Sequence, residues 1–186
     1  MPLPDILTPY FEALAFAAEQ HKYQRRGGYD PLPYINHLIK VSTAIIQIGK
    51  EVDSDIILAS ILHDVIEDSD TTFEDLQERF GVKVADIVTE LTDDMTLPYQ
   101  ERKALQVKGA QQLSIAARKI RITDKASNIR DIFTYPLDWT EEKKIAYLEN
   151  SLEVVDQIRG THLALETWFD QSVQFAREVL SQTPNN

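Results

Sequence analysis

Residues 54–68 read Ser54-Asp55-Ile56-Ile57-Leu58-Ala59-Ser60-Ile61-Leu62-His63-Asp64-Val65-Ile66-Glu67-Asp68. Wound as a helix, with Asp53 or Ser54 as its cap, this stretch is apolar nearly all round, which predicts a segment enclosed by other helices. Its polar residues are then the informative ones. An ionised carboxylate in apolar surroundings costs on the order of several kcal/mol unless a cation or hydrogen bonds compensate it. His63 and Asp64 leave such a helix about 100° apart, so both can reach one ion lying between those directions. Glu67 and Asp68 stand one turn further along the same faces.

The punctuation on either side is also helical. Phe11, Leu14, Ala15 and Ala18 recur at helical spacing and predict a helix near 9–23, followed by a loop through Arg25-Arg26-Gly27-Gly28 to Pro33. A helix from Asn36 to Gly49 buries Leu38, Val41, Ile45 and Ile48. Thr71-Thr72-Phe73-Glu74 reads as a capping box opening a short helix that Gly81 closes. Further helices are expected at about 82–92, 98–112, 114–133, 140–158 and 162–181. Only Ile120–Thr123 alternates as a strand does, and its flanks suit a helix better. The fold class is all-α, a helical bundle, and the 186 residues are read as one domain, 1–186.

Composition narrows the chemistry. With 43% apolar and 26% charged residues the chain resembles an ordinary globular protein. It has no cysteine, so any metal must sit on nitrogen and oxygen. A net charge of −11 argues against binding nucleic acid. The first 18 residues resemble neither a secretory signal nor a membrane span, and a cytoplasmic location is the expectation. Between Arg102 and Arg130, eight basic residues face one acid, Asp124. That run reads either as a solvated helix face or as a local pocket for a phosphorylated small molecule.

A His-Asp pair alone is weak evidence for a metal. Three features strengthen it: His37 opening the preceding helix after Pro33-Tyr34-Ile35-Asn36, Asp124 with Asn128 one turn on, and the acids Glu67 and Asp68. The order His, His-Asp, Asp resembles the HD superfamily of metal-dependent phosphohydrolases. Arg25-Arg26, Pro33-Tyr34-Ile35-Asn36-His37, His63-Asp64-Val65-Ile66-Glu67-Asp68, Leu91-Thr92-Asp93-Asp94, Leu97-Pro98, Glu101-Arg102-Lys103 and Asp124-Lys125-Ala126-Ser127-Asn128 are similar to the hydrolase domain of the RelA/SpoT family and its stand-alone Mesh1-like small alarmone hydrolases. The likeness runs from about Ala13 to about Gly160.

That resemblance implies an HD-domain bundle that removes the 3′-pyrophosphate of (p)ppGpp, usually with manganese (Mn2+), and degrades the alarmone without making it. It implies metal ligation by His37, His63, Asp64 and Asp124, water activation or positioning by Glu67 and Asp68, and nucleotide contacts by Arg26, Tyr34 and Asn128. The partner is a small nucleotide, with neither nucleic acid nor membrane involved, and homo-oligomer formation stays open.

Gly27 and Met95 stand where relatives carry lysine, and Ser127 where they carry a bulkier residue that would narrow the pocket. An adenine alarmone, NADPH or a nucleoside monophosphate is therefore the alternative substrate, and a non-catalytic nucleotide sensor the lower-ranked one. His21, His162, Trp139 and Trp168 are read as packing or surface residues. Asp93-Asp94 reads as either a site loop or a helix-terminal turn.

Overall fold

The computed structural model describes residues 3–28 and 31–182. Among the described residues the regular structure is helical: α1 (Leu3–Gln20), α2 (Ile35–Gln47), α3 (Ser54–Leu62), α4 (Val65–Asp68), α5 (Phe73–Phe80), α6 (Val82–Leu91), α7 (Tyr99–Gly109), α8 (Ile115–Thr134), α9 (Glu141–Asp156) and α10 (Leu163–Gln182). Strand-like pairing there is limited to one antiparallel bridge between Arg25 and Pro33, which pins the two ends of the 25–33 loop together. No helix among the described residues is long and apolar enough to cross a membrane.

Local chemistry sets most of the boundaries. Asp53 caps α3 by accepting from the Asp55 N–H, and Ser114 and Thr140 cap α8 and α9 in the same way. The capping box of α5 pairs Thr72 with Asp75. Helix α1 begins well before position 9 and continues through Pro9.

The main departure from expectation lies at the HD dipeptide. The long helix foreseen across 54–68 stops at Leu62 and resumes at Val65, with Asp64 at φ −105° and ψ −1° between the two pieces. The imidazole of His63 supplies the reason. Its Nδ1 lies 2.9 Å from the Ser60 carbonyl, taking up the acceptor that a continuous helix would offer to the Asp64 N–H. The consequence is a turn between the two helical pieces at the point where His63 and Asp64 leave the chain.

Every residue from Ile56 to Leu62 is buried, and α3 packs against α1, α2, α6 and α8. Helix α8 touches α2, α6, α9 and α10 as well. These two helices thus form the middle of the bundle, and the residues at the C-terminal end of α3 meet those midway along α8 and at the start of α2.

Candidate metal centre

His37 and His63 are almost fully buried, at 2% and 4% exposure. Their Nε2 atoms converge on two carboxylates. His37 Nε2 is 3.1 Å from Asp124 Oδ1 and 3.8 Å from Asp64 Oδ2. His63 Nε2 is 3.2 Å from Asp64 Oδ2 and 3.8 Å from Asp124 Oδ1. His37, His63 and Asp124 each present a ligand atom within 4.8 Å of the others. Asp64 borders this trio, and the Tyr34 hydroxyl donates to its Oδ2 at 2.9 Å.

Neither Nε2 has a hydrogen-bond partner among the described residues. Buried nitrogens left without partners are costly, and here they point at a common centre beside carboxylates. The His63 Nδ1 proton is committed to a main-chain carbonyl, which leaves Nε2 as the lone-pair atom. Nitrogen and oxygen donors in this number suit a divalent first-row cation, so the side chains present fit the group. Electrostatics agree. Burial opposes ionisation of Asp124, but the imidazoles of His37 and His63 beside it outweigh that and hold its carboxyl well below the usual range. Burial also disfavours the His63 imidazolium, yet Asp64 and Asp124 prevail and raise it to about 9. His37, by contrast, is lowered by its burial.

The acids Glu67 and Asp68 sit on α4 beside this centre. Burial pushes the Glu67 carboxyl up to about 7, against the pull of the Asp93 N–H that donates to its Oε2 at 2.9 Å. Nearby Asp93, Asp64 and Asp68 add to the rise. Asp68 is more exposed and accepts from Gln24 at 2.9 Å.

A cavity of about 490 Å³ opens beside His37, a volume suited to a small organic ligand. Arg26, Tyr34 and Asn128, to which the resemblance assigns nucleotide contacts, are among the residues that line it. Each also has a structural duty. Asn128 Nδ2 donates to Asp124 Oδ1 at 2.6 Å, and its Oδ1 accepts from Arg26 at 2.6 Å. Arg26 lies over the Tyr34 ring and reaches Asp131 at 3.3 Å. Tyr34 stacks on His21, which is only 2% exposed and whose Nδ1 contacts the Gln24 side chain. Burial and the Asp64 charge both raise the Tyr34 phenol, so it remains a protonated donor.

Sequence reasoning missed the opposite wall. Trp139, read as mere packing, lines the cavity with Lys143 over its ring and Tyr147 edge-on to it. Lys40, one turn after His37, faces the same space and pairs with Asp131. The i,i+3 spacing of His37 and Lys40 was the available signal. Ser127 does not widen this cavity: it is fully buried elsewhere in α8, with its hydroxyl unpartnered among the described residues.

The basic run divides: Arg102, Lys103 and Lys125 gather around Asp93 and Gln106, and others are spent in separate contacts. Lys119 pairs with Glu51, Arg121 donates to the Leu91 carbonyl, Arg118 to those of Leu113 and Gln111, and Arg130 to Ser172. Trp168 lies under Arg130, and His162 sits at the start of α10, both away from the centre. The Asp93-Asp94 segment follows the end of α6 and reaches α4, where the Asp93 N–H donates to Glu67.

A buried His/His/Asp centre at the meeting of α2, α3 and α8 defines a metal-dependent helical hydrolase architecture. The pattern of the HD domain matches residues 13–134, and the chain belongs to that family. It is 40% identical over 163 residues to guanosine-3′,5′-bis(diphosphate) 3′-pyrophosphohydrolase MESH1 of Drosophila melanogaster, covering 87% of this chain and 91% of that one. It is 42% identical over 160 residues to MESH1 of Xenopus tropicalis, covering 86% and 89%. A solved structure described as a metazoan ortholog of SpoT that hydrolyzes ppGpp superposes with a TM-score of 0.86 at 40% identity, over 89% of this chain and 94% of the other.

Proposed function

We propose that the chain, as a single hydrolase domain over residues 1–186, removes the 3′-pyrophosphate of guanosine 3′,5′-bis(diphosphate) alarmones with manganese at its centre. The observation that carries this reading is the buried imidazole pair with Asp124, whose Nε2 atoms lack hydrogen-bond partners among the described residues, together with a cavity walled by cations and aromatic rings that reaches His37. The relatives named for this activity support the substrate. Packing of α10 against α8 supports the single domain.

His37, His63, Asp64 and Asp124 would hold the ion. When bound, a divalent cation there neutralises charge on phosphate oxygens and lowers the pKa of water. Glu67 accepts the proton of the attacking water, because its carboxyl lies beside the centre, and Asp68 orients that water. Water adds to the phosphorus attached to the ribose 3′ oxygen, that P–O bond breaks, the 3′ oxygen takes up a proton returned by Glu67, and pyrophosphate departs. Arg26 and Lys40 counter phosphate charge, while Trp139 and Tyr147 offer ring surface to the base. Lys40 brings to the cavity a cation of the kind that Gly27 lacks.

A nucleotide panel assayed after chelation and metal replacement tests the reading. Pyrophosphate release from guanosine tetraphosphate, fastest with manganese, is the expected outcome. Orthophosphate release from NADPH or a nucleoside monophosphate, with guanosine tetraphosphate inert, would overturn it.

Loading of the ion should also depend on pH. With His63 raised to about 9 in the metal-free protein, binding below that pH displaces a proton from it. Apparent affinity therefore rises with pH, by at most about tenfold per unit for one proton released, and levels off above about pH 9. Calorimetry in buffers of different ionisation enthalpy should report this proton near pH 7.5, whereas no buffer dependence would show that His63 is not protonated there.

A further inference from the structure

Glu67 is held from an unexpected direction. Its Oε2 accepts from the Asp93 main-chain N–H at 2.9 Å, and Asp93 sits in the irregular segment 92–98 between α6 and α7. Backbone outside a helix has no ladder of its own to fix it. The far half of this segment closes on itself, with Asp94 Oδ1 accepting from the Thr96 N–H at 3.0 Å and from its hydroxyl at 2.6 Å. The near half is fixed through the Asp93 side chain, which is only 7% exposed.

That side chain is gripped by α7. Gln106 Nε2 lies 2.9 Å from Asp93 Oδ1 and 2.8 Å from Oδ2, and Lys103 Nζ lies 3.3 Å from Oδ2. Gln106 is itself oriented from behind, because Lys125 Nζ donates to its Oε1 at 3.0 Å. Carboxylate oxygens only accept, so the amide nitrogen must face Asp93 and the amide oxygen must face Lys125. Lys125 is 2% exposed and rooted in α8 beside Asp124, which gives the chain of contacts a rigid anchor. Among the described residues of α7 none is fully buried, so polar contacts of this kind, more than apolar burial, set where that helix rests.

We infer that Gln106 is a positioning residue: by clamping Asp93 from α7, it places the main-chain N–H that holds the Glu67 carboxylate against the metal centre. The inference rests on the reading of Glu67 as the proton acceptor. It assigns to a glutamine outside every recognisable motif a role in the rate, exerted across three helices. A carboxylate free to swing by even a fraction of its length loses alignment with the water it serves.

The test compares five forms of the manganese-loaded protein on guanosine tetraphosphate: wild type, Gln106→Ala, Gln106→Glu, Glu67→Gln and the Gln106→Ala/Glu67→Gln double variant. Gln106→Ala is expected to lower kcat about tenfold while KM stays within about twofold, as for other residues that orient a reacting group. In the Glu67→Gln background it should cost nothing further, since its effect is routed through that carboxylate. Gln106→Glu, which sets two acids against each other, should lose at least as much as the alanine variant. In the metal-free protein, amide hydrogen exchange over residues 92–98 should be faster in Gln106→Ala than in wild type.

An unchanged kcat in Gln106→Ala, with Glu67→Gln impaired, overturns the inference alone. An equal loss from Gln106→Ala in both backgrounds does the same, since it marks a structural effect independent of Glu67. A fully active Glu67→Gln overturns both the inference and the reading of Glu67 beneath it.

Discussion

His63→Ala is expected to lose bound metal and turnover together. The imidazole is 4% exposed, and its Nε2 stands 3.2 Å from Asp64 and 3.8 Å from Asp124. Alanine removes one donor of the set and also the ring whose Nδ1 ends α3 at the Ser60 carbonyl. Both losses act on the same spot: the centre is short of a nitrogen, and the turn that aims Asp64 is no longer specified. Loss of a directly bound side chain should exceed the 10- to 100-fold typical of residues one layer out, so a fall in metal affinity of more than about 100-fold is expected. Metal content after gel filtration measures the first effect and the rate with excess manganese the second. Stoichiometric metal with a wild-type rate would falsify the assignment of His63.

The second large effect separates binding from chemistry. Glu67→Gln keeps the shape of the side chain and an oxygen able to accept from the Asp93 N–H, but it cannot take up a proton. Metal content should match wild type while kcat falls by about 10²- to 10⁴-fold, the usual scale for a lost general base. The pH profile gives an independent check. A base works when deprotonated, so the wild-type rate should fall as pH drops through the Glu67 pKa. Burial sets that pKa at about 7 without metal, and a nearby cation lowers it, so the acid limb should have its midpoint below about 7. The residual rate of Glu67→Gln should lack this limb. A variant within about twofold of wild type, or one keeping the limb unchanged, would move the base to another group, with Asp68 next to be tested.

Much of the fold was open to reading because its causes are local. Helix α8 was expected over 114–133 and runs over Ile115–Thr134, since Ser114 caps it by a contact three residues away. Helix α9 follows its Thr140 cap, and α10 its apolar spacing, just as closely. The break at His63-Asp64 was missed for an equally local reason, because helix periodicity does not register a side chain that competes for one carbonyl.

Contacts between distant segments carried no such trace. Arg26 meets Asn128 across 102 positions, and Lys40 meets Asp131 across 91. Trp139 entered the cavity wall because α9 folds back along α8, which nothing near Trp139 in the chain foretells. Only part of the basic run from Arg102 to Arg130 stays together, around Asp93 and Gln106, and the rest disperses for a geometric reason. Successive helical residues point about 100° apart, so neighbours in sequence serve different neighbours in space.

The sequence by itself determined the helical class, the central burial of residues 56–62 and the set of imidazoles and acids that such burial would have to reconcile. Those follow from side-chain polarity and spacing, which the chain carries wherever it folds. Only the tertiary structure decided that His37, His63 and Asp124 meet with bare nitrogens facing one point, which walls surround the cavity, and how Glu67 is held. These depend on the packing of α2, α3, α7 and α8, and a packing arrangement is a property of surfaces brought together rather than of any one of them.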